Sequence, residues 1–166
     1  MRFLLPDFSL ASLGNVLLVY ALVLALHTAL AWGGAAWFAR KYDQRVGPWV
    51  AMEVFVLALV ISFATLSWMP EGQFNYSPWQ ILCSGLAMVI LVAVRVLRLR
   101  DIYPNFLLVW WAAVAGYALG WSVISGVKDS TGLWAAGLMF LVMGLTAGLG
   151  AVAGLAAGLR AWLSAS

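Results

Sequence analysis

Five long apolar runs, each ended by a short charged or polar segment, follow one another along this sequence. An α-helix needs about 20 apolar residues to cross the roughly 30 Å hydrocarbon core of a bilayer, and the runs have about that length or more. Because lipid offers no hydrogen-bond partners, a spanning segment must satisfy its backbone internally, as a helix does. The sequence therefore predicts an all-α integral membrane protein, a five-transmembrane-helix bundle with approximate spans 10–38, 49–68, 79–97, 105–127 and 132–159.

The composition excludes an ordinary soluble domain. Apolar residues make up 65% and charged residues 9% of the 166 residues, whereas a soluble domain carries roughly 25% charged residues. The mean hydropathy of +1.00 agrees with this. We expect a single transmembrane domain over residues 1–166, with the lipid bilayer as its surroundings. The net charge of +3 and the pI near 9.4 are then topology signals, and we expect no nucleic-acid partner.

Basic residues segregate to one side of the predicted bundle. Seven of the nine lie near the ends of the first, third and fifth spans or in the loops that follow these ends, and two, Arg2 and Lys128, lie on the other side. Since basic loops stay in the cytoplasm, we expect the N-terminus outside and the C-terminus in the cytoplasm. The preference for Arg over Lys, with abundant Ala, Gly and Trp, indicates a GC-rich bacterial genome and hence a multi-pass protein of the bacterial inner (cytoplasmic) membrane.

Five of these cations lie in the two loops that follow the first and third spans, and we call them the basic rim. We expect the basic rim to attract anionic lipids at the cytoplasmic face or to dock an acidic partner. Its members are Arg40, Lys41, Arg45, Arg98 and Arg100.

Glu53 lies about five residues inside the second span, which is roughly 7 Å from the span's end at the helical rise. Arg95 lies at a similar depth in the third span. A carboxylate in hydrocarbon is costly and requires a partner. The sequence therefore predicts an ion pair between Glu53 and Arg95. The alternatives are a carboxylate that handles protons or cations in a polar cavity, and a side chain that reaches back to the headgroups.

His27 is the single histidine and lies near the middle of the first span. The simplest interpretation is a neutral imidazole hydrogen-bonded to a backbone carbonyl or to a hydroxyl such as that of Thr28, Ser62 or Thr65. It could instead complete a quinone, haem or metal contact that belongs to a partner subunit. Within this chain, one histidine and one cysteine, Cys83, predict no metal site and no cofactor.

The fifth span carries the clearest pattern in the chain, three GxxxG matches interleaved with alanines. Small residues four apart make a smooth helix face that another helix can approach closely. We therefore expect a helix-packing face on this span, either within the chain or against another subunit. The glycines are Gly144, Gly148, Gly150, Gly154 and Gly158.

Tryptophans are abundant, and nine of the ten lie near the ends of the predicted spans. Indole rings favour the headgroup region, so this placement predicts interfacial belts. Trp110 and Trp111 are assigned in this way to the cytoplasmic boundary, whereas Trp32 lies deeper.

Side chains that could act as acids, bases or nucleophiles are sparse. Three ionisable residues lie inside the spans, each on a different span. Acid–base, nucleophilic and metal catalysis all need clustered groups, so we expect no enzyme activity and no catalytic residue. The sequence favours an accessory or assembly subunit of a larger membrane complex, with other membrane-protein subunits as partners, in a hetero-complex or in a homo-oligomer. The main alternative is a homo-oligomeric channel or a carrier of small solutes or lipids, with Glu53 or His27 facing the path. The third alternative is an enzyme acting on lipids or quinones.

Overall fold

The computed structural model describes residues 10–67, 76–126 and 133–165. Over these ranges the chain is all-helical and contains no strand. Each helix is long and apolar enough to cross a membrane, so the predicted bundle of five such helices is confirmed. The helices are α1 (Leu10–Tyr42), α2 (Pro48–Leu66), α3 (Pro78–Leu97), α4 (Ile102–Gly126) and α5 (Trp134–Ala165).

The end of α1 lies four residues beyond the predicted boundary at residue 38, because basic residues in a last helical turn are compatible with the helix dipole. Asp43 follows the helix with a left-handed backbone, φ 50°. The Gln44 N–H then donates to the Ala39 carbonyl at 3.1 Å. This is the bond of a Schellman motif, and it turns the chain towards α2.

The beginnings of α2 and α3 follow local sequence rules. Pro48 opens α2, where its missing N–H costs no hydrogen bond. Ser77 caps α3 in a capping box, in which its hydroxyl accepts from the Gln80 N–H at 3.2 Å and the Gln80 side chain accepts from the Ser77 N–H at 2.9 Å. The Gln80 amide also donates to the Thr65 carbonyl at 3.1 Å, which ties the start of α3 to the end of α2.

The start of α4 and the end of α5 also lie outside the predicted spans. α4 begins at Ile102, three residues before the predicted start, since Pro104 is compatible with a first turn whose N–H groups have no intrahelical acceptor. α5 continues past Arg160, whose guanidinium donates to the Ser164 hydroxyl one turn later at 2.9 Å. The charge of Arg160 therefore does not end α5.

α4 is the central helix, and it contacts each of the other four. Its inner positions are small, which lets its neighbours approach closely. A Cβ on Gly116 would overlap the backbone carbonyl of Phe55, and a Cβ on Gly120 would overlap the Ser62 hydroxyl. Among the described glycines, the tightest packing is therefore at Gly116 and Gly120, where α4 meets α2. These two glycines form a GxxxG pair that the sequence interpretation did not single out.

Candidate functional site

The two basic loops lie together at one end of the bundle, held there by Asn105. This buried side chain accepts a hydrogen bond from the Gly47 N–H at 2.7 Å. Its amide donates to the Arg45 carbonyl at 2.9 Å and to the Asp101 carbonyl at 2.8 Å. Gln44 adds a parallel link by accepting from the Tyr103 N–H at 3.1 Å. The loop after α1 and the loop after α3 are thereby fixed to the first turn of α4.

Sequence reasoning missed Asn105, which it treated only as the start of a span. The available signal was an amide side chain at the first turn of an apolar helix that directly follows a basic loop. A buried amide in that position requires partners, and loop backbone groups are the nearest ones.

All five residues of the basic rim are exposed at this end, and none of them forms an ion pair with a described acidic residue. The Lys41 ammonium lies over the Trp37 ring, 4.7 Å from its centroid, and 5.4 Å from the centroid of Tyr42. Two aspartates, Asp43 and Asp101, lie in the same loops, so the rim presents a net positive charge beside aromatic rings.

Glu53 and Arg95 form an ion pair between α2 and α3, through Oε2 of the carboxylate and Nη2 of the guanidinium. Glu53 is 51% exposed and Arg95 23% exposed, so the pair lies on the outer side of the groove between the two helices. The Arg95 Nε is buried and makes no hydrogen bond. The ion pair links α2 to α3, and removal of either side chain would leave the other charge without its partner.

His27 is buried within the bundle at 7% exposure, with its ring packed edge-to-face on Trp110 at a centroid distance of 4.6 Å. Both ring nitrogens lack a hydrogen-bond partner. The predicted bond to a backbone carbonyl or hydroxyl is therefore wrong. The Thr28 hydroxyl accepts from the Trp111 indole instead, and the Ser62 hydroxyl donates to a carbonyl of its own helix.

Trp110 and Trp111 link α4 to its neighbours. Trp110 Nε1 donates to the Thr146 carbonyl of α5 at 3.0 Å, and Trp111 Nε1 donates to the Thr28 hydroxyl of α1 at 2.9 Å. The sequence predicts interfacial rings at these positions, but both indole N–H groups are engaged by neighbouring helices. Gly150, one of the five glycines of the predicted packing face, lies against the Trp110 ring.

The other four glycines of the predicted packing face are exposed on the outer side of α5. A Cβ added at any of them would meet no described atom within 4 Å. At 3.6 residues per turn, Gly144, Gly148 and Gly158 lie within about 80° of one another around the helix. Together with exposed alanines they form what we call the small-residue face: Ala136, Gly144, Ala147, Gly148, Ala151, Gly154 and Gly158.

Large aliphatic side chains cover the outer faces of α1, α2 and α3, whereas on the outer side of α5 the small residues alternate with exposed large side chains, among them Phe140, Leu155 and Trp162. Such side chains maximise contact with lipid, whereas glycine and alanine give up that contact and leave the backbone open to a neighbouring helix. The large exposed residues are Leu18, Leu22, Leu26 and Leu30 on α1, Met52, Val56 and Val60 on α2, and Ile81, Leu82, Leu86 and Ile90 on α3.

At the opposite end of the bundle, the Tyr76 hydroxyl hydrogen-bonds with Ser125 at 2.9 Å and joins the entry of α3 to the last turn of α4. Burial of the phenol raises the pKa of Tyr76, and the Ser125 hydrogen bond offsets part of that effect. No three His, Cys, Asp or Glu side chains in the described ranges lie close enough to hold a metal ion together.

Comparison with known proteins identifies no relative: no family model matches the chain, and neither a curated protein nor a solved structure is significantly similar to it.

Proposed function

We propose that this chain is a non-catalytic subunit of a larger membrane complex and that it packs against another subunit through the small-residue face of α5. One observation carries the proposal: four of the five predicted packing glycines have free space where a side chain would be. Gly116 and Gly120 of α4 pack against α2 within this chain, whereas these four glycines of α5 meet no described atom of their own chain within 4 Å of a would-be Cβ.

The physical basis is that helices in lipid gain little from burying apolar side chains, since lipid tails are equally apolar. Association instead depends on close backbone approach, van der Waals contact and weak Cα–H···O bonds. A helix face of glycine and alanine supplies these, and a face of leucines does not. The small-residue face therefore suits a partner helix better than it suits lipid.

We favour a hetero-complex, because side chains suited to a stand-alone chemical activity are few in this sequence. A homo-oligomer would use the same face. For orientation, we propose that the basic end lies in the cytoplasm and that the membrane is the bacterial inner membrane. The seven-to-two distribution of basic residues supports this orientation, and Asn105 holds two of the basic loops together.

The channel or carrier alternative needs Glu53 or His27 to face a path between copies. Glu53 is engaged by Arg95, and His27 is enclosed between α1 and α4. Neither placement favours a path, so the accessory subunit is the function that the geometry supports better.

Native mass spectrometry after mild extraction tests the proposal. The expected result is one assembly of defined stoichiometry that contains this chain and a different membrane protein. A chain that emerges as a stable monomer from gently solubilised native membranes would contradict the proposal, and a homo-oligomer would replace the hetero-complex with self-association.

A further inference from the structure

Among the residues that the structure describes, one apolar groove adjoins the basic end of the bundle and another lies away from it. The first, which we call the Trp32–Trp111 groove, has a volume of about 300 Å³ and lies between α1, α2 and α4. The second, the Leu22–Met143 groove, has about 410 Å³ and lies between α1 and α5. The first is lined by Trp32, Pro48, Ala51, Met52, Phe55 and Trp111.

The Trp32–Trp111 groove begins at the level of the basic loop. Pro48 lines it and is the first residue of α2, three residues after Arg45. Phe55 lines it seven residues further on, which is about 10 Å deeper at the helical rise. The groove thus leads from a positively charged loop into the level of the hydrocarbon, with Trp32 and Trp111 packed edge-to-face in its wall.

The loop at the mouth of the groove is held in place. The Arg45 carbonyl accepts from Asn105, and the neighbouring Gly47 N–H donates to the same side chain. The Arg45 side chain is exposed and has no ion-pair partner among the described acids. The backbone that carries this charge is therefore held three residues before Pro48 at the mouth of the groove.

We propose that the Trp32–Trp111 groove binds one acyl chain of an anionic phospholipid whose phosphate contacts Arg45. The headgroup supplies the affinity, because a phosphate gains charge-assisted hydrogen bonds from a guanidinium and a long-range attraction from the rest of the basic rim. The groove fixes where the acyl chain lies. Bulk lipid would also cover an apolar surface, but it would not keep one molecule at one place. An acidic protein segment would match the charge and leave the apolar groove unfilled.

The Leu22–Met143 groove is the internal control. It is the larger of the two, and neither of its helices carries a formal charge between residue 10 and residue 39 or between residue 133 and residue 159. An apolar groove alone would bind chains at both sites, whereas the proposed site needs the basic loop.

Native mass spectrometry and thermal unfolding of the purified full chain test the proposal, with phosphatidylglycerol and phosphatidylcholine of identical acyl chains as probes. We expect phosphatidylglycerol to be retained by the protein and to raise its Tm, and phosphatidylcholine to do both to a smaller extent, because its choline cation offsets the charge of the phosphate. Arg45→Gln should weaken phosphatidylglycerol binding about fivefold, and Arg45→Lys should retain most of it. Met52→Trp, which fills the Trp32–Trp111 groove, should remove the retained lipid, whereas Met143→Trp in the other groove should leave it bound.

Equal retention of the two lipids would overturn the proposal, because the headgroup would then play no part. Equal stabilisation by inorganic phosphate or by an acidic peptide would overturn it by showing an anion site without a chain. Unchanged retention of phosphatidylglycerol by Met52→Trp, or an equal loss of the lipid from Met143→Trp, would overturn the assignment to this groove. Both tryptophan variants carry exposed substitutions, and their Tm values without lipid report on folding.

Discussion

Gly120 of α4 lies so close to Ser62 of α2 that a methyl group at residue 120 would occupy the position of the serine hydroxyl. Ser62 is itself fully buried and donates to the Leu59 carbonyl of its own helix at 3.0 Å. Neither residue can move aside without breaking helix packing or a hydrogen bond. By contrast, Gly148 of α5 has no described atom within 4 Å of its would-be Cβ. Both glycines belong to GxxxG motifs, but Gly120 is packed against another helix of the described chain and Gly148 is not.

Gly120→Ala should therefore lower the stability of the isolated chain, by about 1–3 kcal/mol, because the added carbon overpacks the α2–α4 interface. Gly148→Ala should leave it unchanged or raise it slightly, since alanine is the better helix former. Thermal unfolding of the two variants in the same detergent measures the difference. Equal destabilisation would mean that the small-residue face of α5 is also used inside the bundle.

The number and approximate position of the helices could be predicted from the sequence, because lipid imposes a minimum length and a helical backbone on a spanning segment of this kind. The assignment of glycine faces could not. In a soluble helix the polar side identifies the exposed face, but a membrane helix is apolar all round. Gly116 and Gly120 therefore looked no different from Gly148, and their use against α2 required the structure.

The Glu53–Arg95 pair should show strong coupling in a double-mutant cycle. Either Glu53→Gln or Arg95→Gln leaves one uncompensated charge near hydrocarbon and should lower the Tm. The double variant should recover part of the loss, with a coupling energy of about 0.5–3 kcal/mol. Additive effects would show that the two side chains act independently and that their contact contributes nothing to the α2–α3 packing.

Asn105→Ala should destabilise the basic end by about 2 kcal/mol or more, because it removes the partners of three backbone groups, of which Gly47 N–H is one. The loop after α1 should also become sensitive to protease. Ser164→Ala, which breaks an exposed hydrogen bond to Arg160, is the matched control and should stay within about 0.5 kcal/mol of the parent. Unchanged protease resistance in Asn105→Ala would contradict the role of this side chain.

His27→Leu should raise the Tm, because both ring nitrogens are buried without partners and an apolar side chain removes that cost, about 1–3 kcal/mol. The neighbouring variant Thr28→Val should lower the Tm instead, since it leaves the Trp111 indole N–H unpaired. A lower Tm in His27→Leu would show that the imidazole has a partner in the protein as it exists in the membrane.

The polar sites were predictable to different degrees. The Glu53–Arg95 pair follows from the cost of a charge in hydrocarbon and from equal depths on adjacent spans. The surroundings of His27 and the part played by Asn105 do not follow in this way, because they depend on which helices are neighbours and how these are rotated. Apolar periodicity does not specify either property, and the same limit hid the hydrogen bonds of Trp110 and Trp111 to the adjacent helices.

The most direct test of the α5 interface compares Gly148→Leu with Gly85→Leu in native membranes. Gly85 lies on the outer face of α3, is exposed, and also has no described atom within 4 Å of its would-be Cβ. Both variants gain the same side chain on an exposed helix face, so the fold of the single chain should tolerate both. The measurement is the fraction of the chain that co-purifies in its native assembly. We predict that Gly148→Leu releases the chain as a monomer and that Gly85→Leu leaves the assembly intact; retention of the assembly in Gly148→Leu would contradict the account.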